Sequence, residues 1–244
     1  MKPLIYLFAF MMSMSLTANA QTLPQLPGQK SPVASTVAAS VSKISDLPSV
    51  KYVIKDQDFK KYNQKKPSNE QFTEVMVFFW YGSEWVQKMQ PVLTEWEKSG
   101  KMPSRVKLTW VPIVLNENQT EWAFSARLFF ALEKLGKEKD LSPIIFKALR
   151  ENVLDLSSPK AVSEFLKARG VDPKDLEKAI NDPLVISKTY HLPSIAKMYG
   201  VQSTPSYVID GEYLIASTNQ LAPEKATAVM MFMAEKLSQG GSRP

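Results

Sequence analysis

The chain has 244 residues, a formal net charge of +6 and no cysteine. That length suits one domain, or one domain carrying an inserted subdomain, and the missing thiols exclude disulfide exchange by the chain's own side chains, since the attacking species is a thiolate. Lysines interleave with acids, as around Lys134, Lys137 and Lys139 with Glu133, Glu138 and Asp140, so there is no basic stripe and no nucleic-acid partner is expected.

Residues 1–20 predict a secretory signal peptide. Lys2 precedes the apolar run 4–12, and small residues lead to Ala18-Asn19-Ala20, a cleavage pattern before Gln21. The apolar run is too short to span a bilayer comfortably, and no later segment is apolar enough to do so. The expected product is exported to a bacterial periplasm, with no membrane span after cleavage. Residues 21–49 carry Pro24, Pro27, Pro32 and Pro48 among Ser, Ala, Thr and Val, and predict a flexible linker because they offer little apolar surface to offset chain entropy.

Order is expected from about Lys51. Tyr52-Val53-Ile54 predicts a short strand. The run 74–81, with Val75, Met76, Val77, Phe78 and Phe79 almost continuous, predicts a strand covered on both faces. From Glu84 to Lys98 the apolar residues Trp85, Met89, Val92, Leu93 and Trp96 recur at helical steps, with Pro91 expected to kink the helix. Residues 106–115 predict the next strand. This β-β-α-β order contains the crossover that builds parallel sheets.

The middle of the chain, residues 116–187, predicts helices only. A stripe from Trp122 to Leu135 stops at Gly136, and three shorter amphipathic segments follow at 144–149, 161–168 and 176–180. Ser158-Pro159 and Asp172-Pro173 each place a capping residue before a proline at the first helical position. Residues 188–199 predict a helix closed by Gly200. Asp210-Gly211 between apolar alternations predicts a hairpin. Residues 223–237 predict a final helix.

The stretches Phe78-Phe79-Trp80-Tyr81-Gly82, Gln90-Pro91-Val92-Leu93, Trp110-Val111-Pro112 and the run from Ala196 through Thr204-Pro205 to Ile209 carry a resemblance. Together with the element order they make residues 51–237 similar to the DsbA-like periplasmic thiol:disulfide oxidoreductase family of the thioredoxin superfamily. The resemblance implies an α/β thioredoxin-like fold at residues 50–115 and 188–238, with an inserted all-helical subdomain at 116–187. It places Ser83, Glu84, Trp85 and Val86 where that family carries Cys-x-x-Cys, so this is a degenerate member without the pair. Trp85 stands where many members have histidine. It also implies that Thr204-Pro205 forms a loop facing the helix start, with a cis bond before Pro205. Such a loop holds an extended peptide by backbone hydrogen bonds, or persists only because the fold needs its turn.

Ser83 at a helix start has two readings. A nucleophile needs a base, and the one histidine, His191, lies in the returning helical segment; capping of free helical N–H groups explains the serine better. Glu84 suits the positive end of the helix dipole. A lone histidine makes no metal site, and neither a metal nor another cofactor is expected. Trp85 is either an exposed anchor near Tyr81 and the proline loop or a lid folded over apolar surface, while Val86 points to the core. The expected peptide-binding residues are therefore Tyr81, Trp85, Thr204 and Pro205, with exported proteins, extended peptides or an envelope protein complex as partners. The competing expectation is a participant in thiol:disulfide interchange that relies on cysteines of a client or partner.

Overall fold

The near-continuous apolar run at residues 75–79 forms the centre of a five-stranded sheet. In the computed structural model, which describes residues 41–62, 71–116 and 118–240, the strands are β1 (Lys60–Lys61), β2 (Thr73–Phe79), β3 (Val106–Pro112), β4 (Ser206–Ile209) and β5 (Tyr213–Ala216). Their spatial order is β1-β5-β4-β2-β3. β2 pairs parallel with β3 and antiparallel with β4, and β4 pairs antiparallel with β5. The helices are α1 (Glu84–Lys98), α2 (Thr120–Lys134), α3 (Glu138–Arg150), α4 (Pro159–Lys167), α5 (Pro173–Ile180), α6 (Pro183–Met198) and α7 (Pro223–Ser238).

Alternation along β2 explains why it carries so little polarity. Val75 and Val77 pack with Val92, Leu93 and Trp96 of α1 and with Val229, Met230 and Met233 of α7. Phe78 turns to the opposite face and joins Ala196 of α6, Tyr199, Val201 and Val208. Successive strand side chains point to opposite faces, so a strand covered on both sides needs apolar residues at both parities. Each such residue contributes about 1.5–3 kcal/mol on leaving water. A separate cluster unites Phe79, Tyr81 and Val86 with α2, α3 and α5 through Leu128, Leu132, Phe146 and Leu176. It joins the helical segment directly to the turn that precedes α1.

The hairpin between β4 and β5 follows the expected chemistry. Asp210 and Gly211 have φ of 51° and 68°, and the Glu212 N–H reaches the Ile209 carbonyl at 2.9 Å. Asp210 also accepts the Glu74 N–H on Oδ1 at 2.9 Å, which ties the turn to the start of β2. Ser158, Asp172 and Asp182 each cap a helix whose first residue is proline.

Three expectations need correction. Residues 52–54 form no strand: the Asp58 carboxylate accepts the Ile54 N–H at 2.8 Å, Asp56 takes a φ of 65°, and the chain turns until Lys60 and Lys61 pair with β5. Helix α6 begins at Pro183, not residue 188, because Asp182-Pro183 repeats the cap-proline pattern of α4 and α5. Finally, residues 41–49, expected in the flexible linker, include a 3₁₀ turn at Ile44–Asp46 that docks on α1. Val41, Ile44 and Leu47 pack on the α1–α7 core, and the Ile44 N–H donates to Glu95 Oε2 at 2.9 Å. That bond holds the Glu95 carboxyl below its ordinary range, with Lys101 adding to the effect. The expected signal peptide and the rest of the linker, residues 21–40, lie outside the described residues.

Candidate functional site

Strand pairing brings the candidate residues to one end of the sheet. β2 ends at Phe79 opposite Pro112, and Phe78 lies opposite Ser206. The turn into α1 and the loop that precedes β4 therefore leave the sheet on the same side. From the end of β2 to α1 the chain passes Trp80, Tyr81 and Gly82. Glycine is required at 82 by contact: an added Cβ would lie 2.3 Å from Cζ2 of Trp80. The Trp80 ring in turn stacks on Trp122 of α2 at 4.7 Å between centroids.

Ser83 is the N-cap of α1. Its Oγ accepts the Val86 N–H at 3.4 Å, and its carbonyl accepts the Gln87 N–H at 2.9 Å. His191 lies on the exposed side of α6, ring edge against Tyr190, and no hydrogen bond joins it to Ser83 among the described residues. Val86 is 1% exposed and belongs to the core of the helical segment. Glu84 sits in the first turn of α1 and is exposed. Trp85 is 41% exposed, with Lys88 Nζ 4.6 Å from its ring centre, a cation–π contact.

Tyr81 does not reach the surface, a correction to its expected place in a peptide-binding surface. It is fully buried against Phe79 and Phe146, and its hydroxyl meets Ser142 Oγ of α3 at 2.5 Å. Burial drives its ionisation far above the ordinary tyrosine range. Close by, burial also holds the Glu138 carboxyl above its ordinary range; a Ser142 hydrogen bond opposes this, and Glu133 adds repulsion.

Two residues not singled out in the sequence hold this turn. Gln87 Nε2 donates to the Tyr81 carbonyl at 2.9 Å. Pro91, four residues after Gln87, has no N–H to offer the Gln87 carbonyl, and Arg150 Nη1 of α3 donates to it at 2.7 Å instead. The signal was a proline inside a helical pattern, which always leaves one carbonyl four residues earlier to be satisfied from elsewhere.

The proline loop has a different character. The Thr204-Pro205 bond is cis. Pro205 is buried, and its carbonyl accepts the Ser217 N–H at 3.2 Å. Ser203 Oγ donates to the Ser217 carbonyl at 2.7 Å, and Ser206 Oγ to the Ser203 carbonyl at 2.8 Å. Thr204 is half-buried, and among the described residues nothing bonds its backbone N–H or carbonyl.

Comparison with known proteins agrees with this geometry. A family profile described as a DSBA-like thioredoxin domain matches residues 33–226. The thiol:disulfide interchange protein DsbA of Pseudomonas aeruginosa is 25% identical over 163 residues, covering 67% of this chain and 75% of its own. DsbA of Azotobacter vinelandii is 28% identical over the same length, covering 67% and 74%. Among solved structures, the crystal structure of Pseudomonas aeruginosa DsbA superposes with a TM-score of 0.65 at 22% identity, covering 82% of this chain and 98% of that one. DsbA of Xylella fastidiosa gives a TM-score of 0.61 at 21% identity, covering 76% and 97%. With a thioredoxin-like α/β sheet, a helical insertion and no cysteine at Ser83 or Val86, the chain belongs to the DsbA-like thioredoxin domain family.

Proposed function

We propose that this protein is a redox-inactive, DsbA-like binding protein of the periplasm, which holds extended segments of exported proteins, alone in a chaperone-like role or as a subunit of an envelope complex. The observation that carries the reading is the pair of unbonded backbone groups at Thr204, beside Pro205, in a chain without cysteine. An extended segment laid against this loop pairs with both groups as an added strand, which needs no sulfur. Trp85 supports it from the α1 side as an exposed aromatic anchor. The N-terminal charge, apolar run and Ala18-Asn19-Ala20 pattern support export.

The test is an NMR titration of the ¹⁵N-labelled protein with a capped, unfolded peptide free of cysteine. The Thr204 amide and the Trp85 indole are expected to shift together, and Trp85→Ala is expected to weaken binding about tenfold. Shifts confined to another face, with Thr204 unmoved at saturation, would overturn the reading.

A further inference from the structure

A groove of about 440 Å³ opens beside the proline loop. Leu115, just past the end of β3, and Pro193, Ala196 and Val201 supply apolar lining, with Lys197 and Gln202 exposed at its rim. We propose that this groove is a side-chain subsite that selects the bound segment: it takes an aliphatic residue, and Lys197 takes the carboxylate of an adjoining aspartate or glutamate. The inference rests on the reading that Thr204 pairs with an extended segment.

Position is the first argument. Leu115 follows the same end of β3 that faces the turn into α1, because β2 and β3 run parallel, so the groove opens at the end of the sheet that carries Thr204. Gln202, on the groove rim, precedes Thr204 by two residues across a bend, so the groove begins within about 7 Å of Thr204. That is the spacing at which alternate side chains of a strand return to one face. A segment paired with Thr204 therefore brings the side chain two positions along to the groove, whichever way the segment runs.

Charge is the second argument. No carboxylate lines the groove, and Lys197 makes no ion pair among the described residues. Lysines at the other end of α6 are engaged: Lys188 with Glu133 at 2.6 Å and Lys134 with Asp182 at 3.1 Å. An unmatched ammonium beside apolar walls favours an aliphatic residue with an acid next to it, and opposes a base there.

The probes are three capped peptides whose sequence reads alike in both directions: Asp-Val-Ser-Thr-Ser-Val-Asp, its Asn-ended form and its Lys-ended form. Affinities are read from the Thr204 amide shift. The aspartate peptide is expected to bind about three- to fivefold tighter than the asparagine peptide, with the lysine peptide weakest. Lys197→Glu is expected to invert that order. Gln202→Trp, on an exposed side chain, is expected to plug the groove and cost about tenfold for the valine peptides, but nothing for a peptide with glycine in place of valine. Equal affinities for all three peptides, unchanged by Lys197→Glu, overturn the subsite while leaving pairing at Thr204 standing. Peptides that never shift Thr204 overturn both.

Discussion

At the start of α1 several groups are tied within the chain: Ser83 Oγ caps Val86, Gln87 holds the Tyr81 carbonyl, and Arg150 holds the Gln87 carbonyl, while the buried Trp80 indole N–H has no partner among the described residues. At the proline loop the Ser203 and Ser206 hydroxyls are bonded, the buried Ser217 hydroxyl is not, and Thr204 keeps an unbonded N–H and carbonyl. The two halves of the site have thus been finished differently. Where related proteins would carry sulfur, capping and packing occupy the positions, and Val86 is core. Where an extended chain would pair, the backbone stays open. The contrast predicts that substitutions of the groups tied within the α1 turn act on stability, while changes at Thr204 and at the exposed Trp85 act on the proposed binding.

The largest effect expected in the α1 turn comes from Gly82→Ala. The added methyl meets the Trp80 ring, which leaves its stack on Trp122 to make room. Overpacking of this kind costs about 2–3 kcal/mol, measured as a lower urea midpoint at unchanged slope. An unchanged midpoint would mean that the turn is loose. Arg150→Leu comes next, at about 1–2 kcal/mol, because it strands the nearly buried Gln87 carbonyl that Pro91 cannot serve. Peptide affinity should be unaffected by it; a loss of binding without a loss of stability would place Arg150 on the wrong side of the comparison.

Glu138→Gln is the smallest and the most specific. Burial raises the Glu138 carboxyl above its ordinary value of 4.5, so the folded state binds its proton more tightly than the unfolded chain does. Stability from this group therefore falls as pH rises from about 4.5 through the folded value, and the ionised form opposes folding above it. The glutamine variant removes that opposition. A gain of about 1 °C in Tm is expected at pH 7, kept small because the carboxyl is only half-buried, and it should vanish by pH 4. A gain that persists at pH 4 would point to packing and not to charge.

The strand-turn-helix from residue 75 to 98, the Asp210-Gly211 hairpin and the cap-proline helix starts were legible because each is encoded within a few residues. Tyr81 was not. Its place follows strand parity from Val77 and Phe79, which argues for burial, but a phenol is buried only where its hydroxyl finds a partner. That partner, Ser142, is 61 residues away in α3. The docking of residues 41–47 was hidden in the same way. Val41, Ile44 and Leu47 recur every three residues within a composition that reads as linker, and the carboxylate that fixes them, Glu95, lies 51 residues further on. Local chemistry is readable locally; partners supplied by the fold are not. The groove beside α6 belongs to the second kind, since Leu115 and Val201 meet only after the sheet has assembled.

The Ile44–Glu95 bond also fixes where the polypeptide enters the folded unit. Glu95 lies eleven residues beyond Glu84, about 17 Å along the axis of α1 at 1.5 Å per residue. Cargo fused upstream of Val41, whether a fluorophore, a surface linker or a second domain, thus joins at the rear of that helix. Immobilised by such a handle, the molecule presents Trp85 and Thr204 outward, an orientation that suits it to use as a sensor head.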